Sequence, residues 1–181
     1  MQPIKKLEKW LSNHCSKDNY LLRSSDLKAL FPELSNGAYR TLFSRAASSD
    51  VLMRVARGIY MRKGLNYSGL TLFHIAAFMR PECFNYISLE TALSDVGVIS
   101  QIPFSWITVM SSGRSNKINC GEYGTIEFVH TEKKPNNIRD NLVYDDRCNL
   151  WRASVKLALR DMKDAHRDMD LVDWEVVDEY I

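Results

Sequence analysis

Between Ser35 and Arg57 the chain gathers residue types that read nucleic acid. Arg40 and Arg45 each carry a planar guanidinium able to bridge the O6 and N7 acceptors of a guanine edge, and Asn36 can do the same for adenine. Tyr39, Thr41 and Ser44 suit phosphate or thymine-methyl contacts. Arg57, next to Gly58, suits a hairpin tip that enters a minor groove or meets the backbone. These side chains work together only if a helix holds them. Ser35 is a natural N-cap, and Ala38, Leu42 and Ala46 recur every four residues as a narrow apolar stripe. Asn36, Arg40, Thr41, Ser44 and Arg45 are thereby left on the other side. Past Asp50 the pattern becomes a strand over Val51–Val55, an Ala56-Arg57-Gly58 turn and a second strand over Ile59–Met61.

A second cationic set lies near the C-terminus. Arg152, Lys156, Arg160, Lys163 and Arg167 fall in one sector of a helix expected over Leu150–Lys163, a face suited to an acidic partner. Asp161, Asp164, Asp168, Asp170 and Asp173 lie close by, and a balanced, solvated face is the commoner fate of such a stripe. Ser111–Asn116 has the Gly, Ser and Arg of an anion-binding loop, but neither a Walker pattern nor a following helix, which marks it as a hairpin loop. His14, His74, His130 and His166 show no zinc-ligand spacing, and Cys15, Cys83, Cys120 and Cys148 form no C-x-x-C pair. No catalytic set emerges from spacing, and the sequence implies neither a cofactor nor a metal. The expectation is a binding protein, not an enzyme.

The elements that position these groups follow from composition and period. The 181 residues are 45% hydrophobic and 25% charged, as in ordinary globular proteins, with no apolar run near membrane-span length. The N-terminus lacks a signal-peptide core, so a cytoplasmic protein with reduced thiols is expected. The net charge of +2 hides a split. Residues 1–66 carry twelve Lys/Arg against five Asp/Glu, a net +7, and the remainder carries twelve against seventeen, a net −5. Ahead of the Ser35 helix, Pro3, Ile4, Leu7, Trp10 and Leu11 predict a helix, Tyr20–Leu22 a strand, and Ser24-Ser25 the cap of a short helix bearing Leu27, Leu30 and Phe31. Lys63–Ser68 reads as a junction. After it come an apolar helix over Gly69–Met79, a helix over Leu89–Val96 closed by Gly97, strands over Trp106–Met110, Ile118–Cys120 and Thr125–His130, and a short helix over Trp174–Tyr180. The expected fold class is α+β: an N-terminal winged helix-turn-helix (1–63) followed by a small mixed α/β domain (67–181).

The blocks YISLETALSDVGVI (Tyr86–Ile99), WITVMSSGR (Trp106–Arg114) and GTIEFVH (Gly124–His130) resemble the antitoxin domain of the AbiEi family, and LKALFPE through RVARGIYMR resembles that family's winged helix. The family's P-E-K-A-like segment is replaced here by DDRCNLWRASVKLALRDMK. The resemblance implies an antitoxin that represses its own bicistronic operon. Its partners would be promoter DNA, on which it could sit as a homodimer, and a nucleotidyltransferase-like toxin; no membrane is involved. A ligand-responsive winged-helix repressor with a small-molecule pocket in the second domain is the alternative reading.

Overall fold

The computed structural model describes residues 2–64, 69–100 and 105–181. The chain divides into two compact units, Met1–Gly69 and Leu70–Ile181, and its fold is α+β. Residues 65–68 of the expected junction, including the expected start of the second domain at 67, lie outside the described residues. Among the described residues no helix is long and apolar enough to cross a membrane.

Unit 1 opens with α1 (Pro3–His14), whose Pro3 occupies the first turn, where a missing N–H costs nothing. Strand β1 (Leu21–Arg23) follows. The short α-helix expected after Ser24-Ser25 is only a 3-10 turn over Lys28–Leu30, and neither serine caps it. Pro32 lies two residues past its end and keeps the chain from winding further. Helix α2 (Asn36–Ser48) starts as expected, with the Ser35 hydroxyl oxygen accepting from the Ala38 N–H at 3.2 Å. Strands β2 (Leu52–Ala56) and β3 (Ile59–Arg62) form a hairpin, and β1 adds antiparallel to β3, giving the order β1-β3-β2. The turn is Arg57-Gly58, with Gly58 at φ +73°, a conformation that glycine adopts without steric cost. Leu7, Leu11, Leu22, Leu27, Phe31, Leu42, Phe43, Ala46 and Leu52 fill one core. Arg62 Nη1 donates to the Leu11 carbonyl at 3.1 Å, placing a cation on the C-terminal end of α1 and tying β3 to it.

Unit 2 is built on a six-stranded mixed sheet. Its elements in chain order are α3 (Thr71–Met79), β4 (Asn85–Ile87), α4 (Leu89–Ser94), β5 (Trp106–Ser111), β6 (Asn116–Asn119), β7 (Thr125–His130), α5 (Pro135–Ile138), β8 (Leu142–Asp145), β9 (Leu150–Ala153), α6 (Val155–Asp164) and α7 (Trp174–Val177). The spatial order is β6-β7-β5-β4-β9-β8; β5 runs parallel to β7 and β4 parallel to β9, and the other neighbours are antiparallel. Helices α4 and α6 pack on each other, on β5 and on β9, while α3 packs on β5 and β7. The single helix expected from Leu150 is in fact two elements. Leu150–Ala153 is a strand, and α6 begins only after Ser154, whose hydroxyl oxygen accepts from the Leu157 N–H. Gly124 (φ +110°) closes the β6–β7 connection, where a Cβ would lie 1.9 Å from the Ser105 carbonyl oxygen.

Candidate nucleic-acid interface

Helix α2 buries Tyr39, Leu42, Phe43 and Ala46, the i, i+3, i+4, i+7 set of an amphipathic helix, rather than the Ala38, Leu42, Ala46 stripe. Ala38 is exposed. Tyr39 is therefore a correction to the expected contact set. It is 8% exposed, its ring lies 5.1 Å from that of Phe43, and its hydroxyl donates to the Ser24 carbonyl. Burial, reinforced by Asp26 and Tyr60, pushes its pKa up to about 12, so the phenol stays protonated as a donor.

The remaining expected residues, Asn36, Arg40, Thr41, Ser44, Arg45 and Arg57, are exposed but do not form one cluster. Arg40 and Ser44 line a groove between α2 and the β2–β3 hairpin, together with Ser48, Arg57, Tyr60 and Arg54. Thr41 and Arg45 line a separate hollow on the opposite flank of α2, beside Pro3, Ile4 and Leu34. The two arginines are five positions apart, and at 100° per residue that spacing sets them on opposite shoulders of the exposed face. Between them lies a low ridge of Gly37, Thr41, Ser44 and Ser48. The Thr41 hydroxyl donates to the Gly37 carbonyl and that of Ser48 to the Ser44 carbonyl, both at 3.0 Å, so they present oxygen lone pairs outward.

Sequence reasoning missed Arg54. It faces Tyr60 across the hairpin, and the register shifts between Arg54 and Ala56. That irregularity sets the β2 side chains off strict alternation, which the sequence does not announce. The signal available was Arg54 three residues ahead of Arg57 in a predicted hairpin within the basic first third of the chain. Among the described residues no acid lines the groove. Among the described residues of unit 1, Asp50 pairs with Lys63 (2.5 Å) and Glu33 with Lys6 (3.9 Å), and no carboxylate bridges Arg40, Arg45, Arg54 or Arg57. Ser24 holds the turn in place, its N–H donating to the Gly58 carbonyl at 2.9 Å.

The C-terminal stripe is dismantled. Arg152 sits on β9, not on a helix, and is paired to Asp95 and to Asp145 (3.3 Å). Arg167 lies beyond α6 and pairs with Glu127 (2.8 Å) and Glu90 (3.6 Å). Lys156, Arg160 and Lys163 alone remain as exposed cations on α6. Ser111–Asn116 is held from within: Arg80 stacks over the Phe128 ring (3.9 Å) and donates to Ser111 Oγ and Asn116 Oδ1.

One polar cluster is deeply placed. Ser88 Oγ donates to Asp161 Oδ2 at 2.7 Å, and Lys133 Nζ donates to Asp161 Oδ1 (2.7 Å) and to Asp164 (2.5 Å). Ser88 and Asp161 are both 0% exposed, so the serine is closed to a substrate and the cluster fixes α6 to the strand-to-helix corner at Ser88-Leu89, where Leu89 takes φ +56°. Burial, then Asp161, raises the pKa of the neighbouring Tyr86 phenol. All four cysteines are free, burial raises the Cys120 and Cys148 thiols to about 11, and no cluster able to hold a metal occurs among the described residues. Compared with known protein families and with curated proteins, the chain matches none.

Proposed function

We propose that unit 1 is a winged-helix module that binds duplex DNA, with α2 in the major groove and the β2–β3 hairpin as a wing against the flanking backbone. The observation that carries this reading is the groove between α2 and the hairpin, lined by Arg40, Arg54 and Arg57 without a carboxylate. Phosphate neutralisation supplies most of the affinity for DNA, and unpaired guanidinium groups on one face are the means to it. The small ridge of α2 lets its backbone approach a base edge while Arg40 and Arg45 flank it. The order helix, strand, 3-10 turn, helix and hairpin in unit 1 supports this reading, the 3-10 turn then standing where a winged helix has its middle helix. Together with the resemblance of residues 86–130 to AbiEi antitoxins, this supports an antitoxin and autorepressor of a bicistronic operon that opposes a nucleotidyltransferase-like toxin, acting in the cytoplasm.

The test is a mobility shift with DNA from upstream of the protein's own gene, titrated with salt. Log affinity is expected to fall linearly with log salt. Arg54→Ala and Arg57→Ala should each lower the slope by about one and weaken all sequences alike. Arg40→Ala should cost about 1–3 kcal/mol and relax sequence preference. No shift at low salt, or a shift indifferent to salt, overturns the DNA reading. Rescue of growth during co-expression with the neighbouring toxin tests the antitoxin part separately.

A further inference from the structure

Thr41, on the exposed face of α2, has already committed its hydroxyl hydrogen. A carbonyl oxygen can only accept, so the 3.0 Å contact of Thr41 Oγ1 with the Gly37 carbonyl fixes the threonine as the donor. Thr41 is exposed, and what its hydroxyl offers a partner is lone pairs alone. A free threonine serves a donor or an acceptor equally well and selects neither. A locked one selects donors. Arg45 follows four residues on, also exposed, and lines the same hollow as Thr41. Its guanidinium is the opposite tool, with hydrogens to give and no lone pair to take one. The row formed by Thr41 and Arg45 therefore presents an acceptor and then a set of donors. Their backbones are about 6 Å apart along the helix axis.

The major-groove edge of duplex DNA sorts itself against such a row. Cytosine N4 and adenine N6 carry hydrogens, whereas guanine shows N7 and O6, and thymine shows O4 beside its methyl group. Thr41 Oγ1 can accept from either amino base. Set against guanine O6 or thymine O4, two oxygens meet with no hydrogen between them, and both lose water without gaining a bond. Residue type alone suits Thr41 to a thymine methyl, but that contact brings O4 up to the same locked oxygen. Arg45 has the reverse demand and is met by guanine. A rise of about 6 Å spans nearly two base steps of about 3.4 Å.

We infer that the DNA read by α2 carries an amino base, cytosine or adenine, where it faces Thr41, and a guanine within about two steps where it faces Arg45. The inference rests on the placement of α2 in the major groove proposed above and adds to it the class of sequence that fits. Thr41 is then a specificity-determining residue, and the Gly37 carbonyl behind it sets which class it selects.

The test is selection of bound duplexes from a randomised pool by the full chain, followed by sequencing. The wild-type pool is expected to show a column restricted to cytosine or adenine close to a guanine column. Placing guanine or thymine in the restricted column should weaken binding about two- to tenfold, the worth of one hydrogen bond. Thr41→Val keeps the shape and removes the oxygen, so its pool should lose the restriction at that column. Thr41→Ser returns the oxygen with the same helix carbonyl in reach and should return the restriction. Arg45→Ala should lose the guanine column. Thr41 is exposed, so the variants should match the wild type in far-UV circular dichroism. A wild-type column of thymine or guanine at the position that responds to Thr41→Val overturns the inference, as does a folded Thr41→Val variant whose pool matches the wild type. Either result leaves DNA binding itself in place. A pool that never enriches, with no shift at low salt, overturns the DNA reading and this inference with it.

Discussion

Tyr39 and Arg54 exchange roles once the chain folds. Tyr39 carries a hydroxyl that could meet a phosphate, yet its position on α2 turns it inward, and the Ser24 carbonyl takes its proton. Among the described residues Arg54 pairs only with the carbonyl of Ala56 two residues on, at a long 3.4 Å, and keeps its charge at the groove. The two substitutions should therefore separate stability from binding. Tyr39→Phe leaves a half-buried carbonyl without its donor and should cost about 1 kcal/mol in urea unfolding, with DNA affinity unchanged. Arg54→Ala should leave the unfolding midpoint within about 0.5 kcal/mol of the wild type and weaken DNA binding. If Tyr39→Phe weakens binding without lowering stability, the inward assignment fails. The same contrast explains what the sequence could offer at this scale. Residue type announced the chemistry of Arg40, Arg45 and Arg57, but which member of a polar-aromatic helix faces the core depends on where the apolar stripe is centred, and an alanine stripe and an aromatic one compete within the same thirteen residues.

At the scale of elements, the β8–β9 hairpin depends on one carboxylate. Asp145 Oδ1 accepts from the Arg147 backbone N–H (3.1 Å) and Nε (2.9 Å), and Oδ2 accepts from Arg147 Nη2 (2.9 Å) and Arg152 Nη2 (3.3 Å). The hydrogen bonds from Arg147 hold its pKa well below the usual carboxylate range. A carboxylate depressed in the folded state contributes stability that is fully present above its unfolded value near ~3.9 and is lost as pH falls toward the folded value. Asp145→Asn should thus cost about 1.5–3 kcal/mol at neutral pH, and the gap to the wild type should narrow below about pH 4. Urea unfolding at pH 7 and pH 3 measures both; a gap independent of pH removes the charge from the account. This hairpin is also where the sequence was least legible. Leu150, Ala153, Leu157 and Ala158 satisfy helical spacing, and Trp151 and Arg152 continue it, so nothing local separates the strand from α6. What makes Leu150–Ala153 a strand is pairing with β4 and β8, contacts remote in sequence. Where local signals suffice the elements were readable: the Ser35 cap, the Gly58 turn, β5 and β7 lie close to where period and punctuation put them.

For the whole molecule, each unit owns its core and its sheet, and no strand is shared between the two sheets. Two cores without a shared strand predict that each unit folds alone. Fragment 70–181 should unfold cooperatively and, on the antitoxin reading, still protect cells while no longer repressing the promoter. Fragment 1–69 should bind DNA weakly and protect nothing. Circular dichroism melts and a growth assay against the partner toxin test the pair; protection that travels with 1–69 would move antitoxicity to transcription.

The parallel pairing of Tyr86 with Trp151 at the centre of the unit 2 sheet has a temporal side. Closing a loop of that span is slow compared with the local hairpin of unit 1, and it cannot begin until Trp151 has left the ribosome. At roughly 5–20 residues per second, the basic unit is complete several seconds before the sheet beneath the Ser88 corner can close. A nascent chain thus carries a finished unit 1 ahead of an unfinished unit 2, and a ribosome stalled between the two would hold the first folded while the second is still incomplete.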